Sequence, residues 1–194
     1  MTPAQRARLR TFPFLLRALL PLGLIVLVIV VLTWPRDSGD GGVHPIDPNP
    51  AISQARAQAP YPLLAPPASG PGALPSGWQP TSTRIDDASA PDPIDSLALT
   101  PGVYQFRVWY VTPDRKYAQF QESNDAAEAV LAQAGPRTQS DPVTIAGQTW
   151  QRGALSDNGE TLLYRTTPDG VTVTVTGSAS MAELTTLAEA LTAG

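Results

Sequence analysis

The sequence contains no cysteine, only one histidine and only one lysine. The missing cysteines exclude disulfide bonds, thiolate catalysis and cysteine-ligated zinc. His44 lies in a stretch rich in proline and glycine, which argues against a Ser–His–Asp triad because such a base must be held in place. Lys116 follows a predicted turn, where a solvated lysine is the usual explanation. The sequence therefore predicts no catalytic residues, no metal site and no cofactor.

The longest uncharged stretch runs from Ala18 to Trp34 and reads ALLPLGLIVLVIVVLTW. As a helix it would span roughly 26 Å at about 1.5 Å per residue, close to the ~30 Å core of a bilayer. We predict a single transmembrane helix over 18–34, with Trp34 at the interface. A cleaved signal peptide is the alternative, although no A-x-A-like cleavage site follows the stretch.

Charge is distributed unequally about this span. Four of the 13 basic residues precede it and none of the 17 acidic residues does, so the remainder carries a formal charge of −8. The positive-inside rule predicts a cytoplasmic basic arm over 1–17 and an extracytoplasmic remainder. The acidic remainder also argues against nucleic-acid binding, which leaves the lipid bilayer and an unknown envelope protein or ligand as expected partners.

Residues 35–60 read as a mobile linker, because glycines and prolines alternate with polar residues. Only residues 51–59 suggest a short helix within it. The remaining residues, 61–194, are expected to form one extracytoplasmic domain. Tyr61–Pro67 is more apolar than a linker needs, so we expect it to dock on that domain.

Alternation of apolar residues predicts strands through most of the domain. Val103–Val111 is the strongest, and TPDR at 112–115 turns it into a returning strand over 116–122. Further strands are predicted at 81–86, 143–146, 148–152, 161–167 and 171–176. In the last of these, VTVTVT, the valines should face the core and the threonines the solvent.

Two helices interrupt the strands. The first should be capped by Asp125 with Glu128 closing a capping box, and the second by Ser180 with Glu183. Strands joined by short turns predict an antiparallel sheet. The fold class is therefore α+β, with one transmembrane helix and a sheet packed on one face by both helices.

Several segments resemble a known family when read in order. They are VLTWPRD, VHPIDP, YPLLAP, LPSGWQPTS, VWYVTPDRKYAQFQES and VTVTVTGSAS-MAELTTLAEAL, which together cover most of residues 30–191. The sequence resembles domain-of-unknown-function family 4245, membrane proteins of high-GC Gram-positive bacteria. The family has no established activity, so the resemblance implies no site residues. The order of elements is also similar to Mog1/PsbP-like domains, an analogy of fold alone.

Asp86, Asp87, Asp92 and Asp95 crowd one proline-rich loop. They could bind calcium, which accepts several oxygen ligands, but the spacing matches no calcium loop. The glycine that a tight calcium loop needs is also missing, so a solvated acidic loop is the favoured interpretation.

Aromatic residues are the remaining signal for binding. Trp78, Trp109 and Trp150 form the candidate binding surface, with core packing as the competing interpretation. Trp109 or Trp150 is expected to be partly exposed beside the cover formed by Tyr61–Pro67 and Trp78. The favoured function is a non-enzymatic binding or interaction module of the cell envelope, and the alternative is a carboxylate-based envelope hydrolase.

Retention of the span gives the first testable prediction. If residues 18–34 are an anchor, the mature protein keeps its basic arm and stays in the membrane fraction after washing at high salt. Mass spectrometry of the mature N-terminus checks this directly. A mature protein that begins after Trp34 would establish the signal-peptide alternative instead.

Overall fold

The computed structural model describes residues 44–88 and 100–193. These belong to the second of two compact units, which begins at Val43. The helices are α1 (Asn49–Gln58), α2 (Ala127–Ala134) and α3 (Met181–Ala190). The strands are β1 (Leu64–Ala65), β2 (Gln79–Asp87), β3 (Tyr104–Val111), β4 (Tyr117–Ser123), β5 (Arg137–Ile145), β6 (Gln148–Leu155), β7 (Thr161–Thr166), β8 (Thr172–Gly177) and β9 (Thr192–Ala193).

Seven strands form one antiparallel sheet in the order β2-β3-β4-β8-β7-β6-β5. Strand β8 comes last in the chain among these seven but lies in the middle of the sheet. There it pairs with β4 on one side and with β7 on the other. Strands β1 and β9 form a separate small pair. A seven-stranded antiparallel sheet with three helices confirms the predicted α+β class.

Cross-strand pairing follows the predicted hairpins closely. Strands β3 and β4 pair around the turn at 112–115, with Val111 opposite Tyr117. Strand β5 is the main difference, since it begins at Arg137 rather than at residue 143. Its first residues are exposed and carry no alternating apolar pattern, and a register shift interrupts it between Ser140 and Val143.

One face of the sheet, here called the core face, holds the main hydrophobic cluster. Tyr104, Phe106, Val108 and Tyr110 of β3 all point to it, as the alternation predicts. A single cross-strand row on this face runs through all seven strands. Its members are Ile85, Phe106, Glu122, Val173, Arg165, Trp150 and Val143. Two ionisable residues, Glu122 and Arg165, thus interrupt an otherwise apolar row.

The chain before β2 and helix α3 together cover the core face. Tyr61, Leu63 and Ala65 are buried in the main cluster, which agrees with the expected docking of Tyr61–Pro67. Within the segment predicted as a linker over 35–60, residues 49–58 form α1. Its Ile52 and Ala55 are buried in the same cluster. This part of the segment is therefore held by the core, because the spacing of its two buried residues places both on one side of the helix.

Helix α2 packs on the opposite face of the sheet, so the prediction that both helices share one face was wrong. Its Leu131 contacts Leu155 and Leu162, while the neighbouring Leu163 points to the core face. For the same reason the threonines of β8 do not face solvent. Thr172, Thr174 and Thr176 are all buried, since the second face is itself partly covered.

The two predicted capping boxes differ in outcome. Ser180 caps α3 and Glu183 closes the box, as predicted. The N-cap of α2 is Ala126, and it has no side-chain hydrogen bond. The Asp125 carboxylate instead accepts a hydrogen bond from the backbone N–H of the next residue, Ala126, at 2.8 Å. Because Asp125 is not the N-cap, Glu128 closes no capping box.

The predicted arm at 1–17 and span at 18–34 lie outside the described residues. Within 44–88 and 100–193, no helix is long and apolar enough to cross a membrane. Asp92 and Asp95 of the acidic loop also fall outside the described part of the chain.

The packing of α3 gives the second prediction. Leu187 is fully buried, so Leu187→Ala should lower the free energy of unfolding by about 2–5 kcal/mol. Ser180→Ala should lower it by about 1 kcal/mol through loss of the cap. Urea titration of the full chain in a mild detergent measures both changes.

Glu128→Ala is the control, because Glu128 lies in the first turn of a helix whose N-cap makes no side-chain hydrogen bond. It should leave stability nearly unchanged. A Glu128 variant as destabilised as the Ser180 variant would contradict the assignment of the caps.

Candidate functional site

A cavity lies on the core face, between the middle of the sheet, helix α3 and the segment around β1. Its volume is about 460 Å³. Apolar and polar side chains share its lining: Pro62, Leu64, Glu122, Ile145, Ala146, Gln148, Trp150, Arg165, Thr167, Pro168, Asp169, Val171, Ala188, Glu189 and Leu191. A mostly apolar hollow with a few polar groups is the usual form of a small-molecule site.

Glu122 is a fully buried carboxyl group at this cavity. Both of its oxygens lie 3.1 Å from the Leu64 backbone nitrogen, which donates to them from β1. Burial raises the pKa of Glu122 from 4.5 to about 8, against the lowering effects of the Leu64 N–H, Arg165 and Arg56. At neutral pH the carboxyl group is therefore mainly protonated.

Arg165 lies in the same cross-strand row as Glu122, with Val173 between them. Two strand spacings separate their backbones by about 9–10 Å. The Arg165 guanidinium carbon lies 5.2 Å from the centre of the Trp150 ring, a distance typical of a cation–π contact. Its Nε is buried and makes no hydrogen bond to any described residue. Burial lowers the pKa of Arg165, but a guanidinium stays charged at neutral pH.

The site thus contains a positively charged side chain, Arg165, whose Nε has no hydrogen-bond partner, and a neutral carboxyl group, that of Glu122. A buried donor without a partner is costly, and native structures usually supply one. Arg165 also lines the cavity, where its guanidinium can donate a hydrogen bond to an oxygen atom of a ligand. Asp169 and Glu189, both exposed, are the acidic groups at the mouth of the cavity.

The three tryptophans of the predicted binding surface lie in three different places. Trp150 lines the cavity beside Leu64, but it is only 2% exposed, contrary to the expected partial exposure beside the cover. Trp78 is half-buried and packs edge-on against Tyr110, next to a smaller recess of about 170 Å³. Trp109 is partly exposed, but it lies on the opposite face from the cover.

Sequence reasoning did not select Glu122 or Arg165. A signal for Glu122 was present, because the alternation in β4 places it on the same face as Ala118 and Phe120. Arg165 had no comparable signal. Apolar side chains flank it on both faces of β7, so alternation alone does not assign its direction.

Asp86 was expected in a solvated or calcium-binding loop and is instead a buried partner of arginine. It is 5% exposed and forms ion pairs with Arg84 and Arg107. Its carboxylate is thus already neutralised by two cations. Among the described residues, no group of three or more His, Asp or Glu side chains is placed to hold a metal ion.

Comparison with known families agrees with the resemblance seen in the sequence. Residues 9–191 match the family described as protein of unknown function (DUF4245). The chain belongs to the DUF4245 family. Neither the curated proteins nor the solved structures gave a significant match. The analogy with Mog1/PsbP-like domains therefore stays a prediction.

The raised pKa of Glu122 gives the third prediction. Because the folded protein keeps a proton that the unfolded chain releases above pH 4.5, the free energy of unfolding falls as pH rises from about 4.5 to about 8. The loss reaches at most about 1.4 kcal/mol per pH unit. Glu122→Gln should flatten this part of the profile, as measured by urea unfolding at several pH values.

Glu128→Gln is the control, since Glu128 is exposed and should leave the profile unchanged. Identical pH profiles for the wild type and Glu122→Gln would show that Glu122 titrates alike in both states.

Proposed function

We propose that this DUF4245 protein is a membrane-anchored, extracytoplasmic binding module without enzymatic activity, and that its ligand occupies the cavity at Arg165. The observation that carries the proposal is Arg165, which lines a cavity of about 460 Å³ with its guanidinium carbon 5.2 Å from the centre of the Trp150 ring. Predicted anchoring by residues 18–34 and the charge asymmetry support the location.

The ligand that suits this cavity has an apolar body and a terminal oxygen acceptor. Leu64, Ile145 and Leu191 provide apolar contact, while Arg165 provides a charge-assisted hydrogen bond. Because Glu122 is mainly neutral at pH 7, it does not cancel the charge of Arg165. A carboxylate or the carbonyl group of a partner protein's extended segment would accept a hydrogen bond from the Arg165 guanidinium.

The chemistry of Glu122 argues for binding rather than for hydrolysis. A carboxylate-based hydrolase of the glycosidase type uses two carboxyl groups that flank the bond to be cleaved. Both oxygens of Glu122 already face the Leu64 N–H, and its side chain has no exposed surface. Its structural role is therefore to hold β1 against the sheet.

Binding of a small aromatic acid tests the proposal and is the fourth prediction. Phenylacetate should bind the full chain in detergent more tightly than neutral phenylacetamide, because its acceptor is charged. Arg165→Gln should weaken phenylacetate binding about tenfold or more, the effect expected for a lost charged hydrogen bond. Quenching of tryptophan fluorescence and saturation-transfer NMR measure the affinities.

Arg152→Gln is the matched control, since Arg152 lies on the neighbouring strand and does not line the cavity. Equal affinities for the wild type and Arg165→Gln, with the control also unchanged, would place any binding elsewhere.

A further inference from the structure

A second feature, independent of the cavity at Arg165, lies on the opposite face of the sheet. Nine residues form three cross-strand rows in the middle of that face, on strands β3, β4 and β8. We call them the polar sheet face. They are Gln105, Ser123 and Thr172 in one row, Arg107, Gln121 and Thr174 in the next, and Trp109, Gln119 and Thr176 in the third.

Burial of these residues is unusual for their chemistry. The described part of the chain has ten buried polar or charged residues, and six of them belong to the polar sheet face. A central strand under a helix normally carries apolar side chains there, because each buried polar group must find a hydrogen-bond partner. Packing alone therefore does not explain the composition of this face.

Several polar atoms of this face lack a partner. Among the described residues, four buried side-chain atoms make no hydrogen bond, and three of them are Gln105 Oε1, Arg107 Nε and Thr172 Oγ1. Of these three residues only Arg107 lines the adjoining cleft, so the unpaired atoms of Gln105 and Thr172 do not bear on what that cleft binds.

A cleft of about 260 Å³ opens over two of the three rows. Arg107, Gln119, Gln121, Thr174 and Thr176 line its floor. One wall is α2, through Val130, Gln133 and Ala134, and the other is formed by Leu155, Asn158 and Glu160. Tyr117 lines the cleft too, and its hydroxyl donates to Gln119.

The charge and the hydrogen-bonding groups of the floor define the ligand. Amide and hydroxyl side chains both donate and accept, which suits a ligand whose groups do the same. Arg107 is ion-paired with Asp86, which also pairs with Arg84, and Glu160 in the wall adds a second negative charge. The cleft therefore carries no excess charge of one sign that would favour an ion. Trp109 does not line the cleft itself. It lies opposite Gln119 of the floor in the register, and the guanidinium carbon of Arg107 lies 5.8 Å from the centre of its ring.

We propose that this cleft binds a neutral, hydroxyl-rich ligand, about one saccharide ring in size, with Gln121 and Thr174 as its hydrogen-bonding floor and Trp109 beside Gln119 of that floor. The volume lies below the ~300–1,000 Å³ of sites for drug-sized ligands, which limits the bound part to a single ring. The site is separate from Arg165, because the two lie on opposite faces of the sheet.

The test uses methyl glucoside and N-acetylglucosamine as probes, with glucose 6-phosphate as the charged counterpart. Saturation-transfer NMR is recorded on the full chain in a zwitterionic detergent, since a sugar-headed detergent would compete. At least one neutral sugar should bind, and more tightly than glucose 6-phosphate. Thr174→Val should weaken binding about tenfold, because the shape is kept and a hydroxyl partner is lost. Trp109→Ala should weaken it by a similar factor.

Thr172→Val is the matched control. Thr172 lies on the same strand and face but does not line the cleft, so its substitution should leave sugar binding unchanged. Arg165→Gln should also leave it unchanged, which separates this proposal from the function proposed above. A thermal melt confirms that each variant is folded, and Thr176→Val replaces Thr174→Val if that variant unfolds.

Three results would overturn the proposal. No neutral sugar binds the wild type, so that the cleft holds water only. Glucose 6-phosphate binds more tightly than the neutral sugars, so that the ligand class is anionic. Or Thr172→Val and the cleft variant lose affinity equally, so that the sugar binds somewhere else.

Discussion

The hydrogen bonds from the Leu64 backbone to Glu122 connect two parts of the fold that are far apart in sequence. They tie β1, and with it the segment at 61–65, to a strand near the centre of the sheet. A buried carboxyl group is costly unless it is hydrogen-bonded or neutral, and Glu122 is both at neutral pH. The cavity exists because β1 is held at this position, with Leu64 itself in the wall.

The two faces of the sheet differ in the side chains that they bury. The core face buries large apolar side chains under α3 and the first 25 or so described residues, and it admits the ionisable residues Glu122 and Arg165 in a single row. The opposite face is polar at its centre and apolar only at one side, where α2 meets Leu155 and Leu162. Stability therefore comes mainly from the core face. The other face is free to carry side chains whose chemistry suits recognition rather than packing.

Much of the fold was predictable because its signals are local. Period-two alternation gave the hairpin of β3 and β4, and the Ser180–Glu183 box gave the start of α3. The face chosen by α2 was not predictable, since it depends on contacts with Leu155 and Leu162, more than twenty residues away in the chain. Burial of the β8 threonines follows from that placement.

Only part of the candidate sites could be read from the sequence. Trp109 and Trp150 were selected as aromatics, but they lie at two separate sites on opposite faces. Glu122 and Arg165 come together only through β8, which returns from the end of the chain and inserts Val173 between them. The position of β8 between β4 and β7 depends on the strand order, which no local sequence pattern determines.

Titration of the Glu122 carboxyl carbon by NMR tests the account of the core-face site most directly. With the side chain labelled and Glu122→Gln used to assign the signal, we expect a pKa of about 8. That value means a neutral carboxyl group at pH 7 and a free charge on Arg165. An ordinary value near 4.5 would mean an ionised Glu122 that cancels this charge, and it would contradict the proposed site.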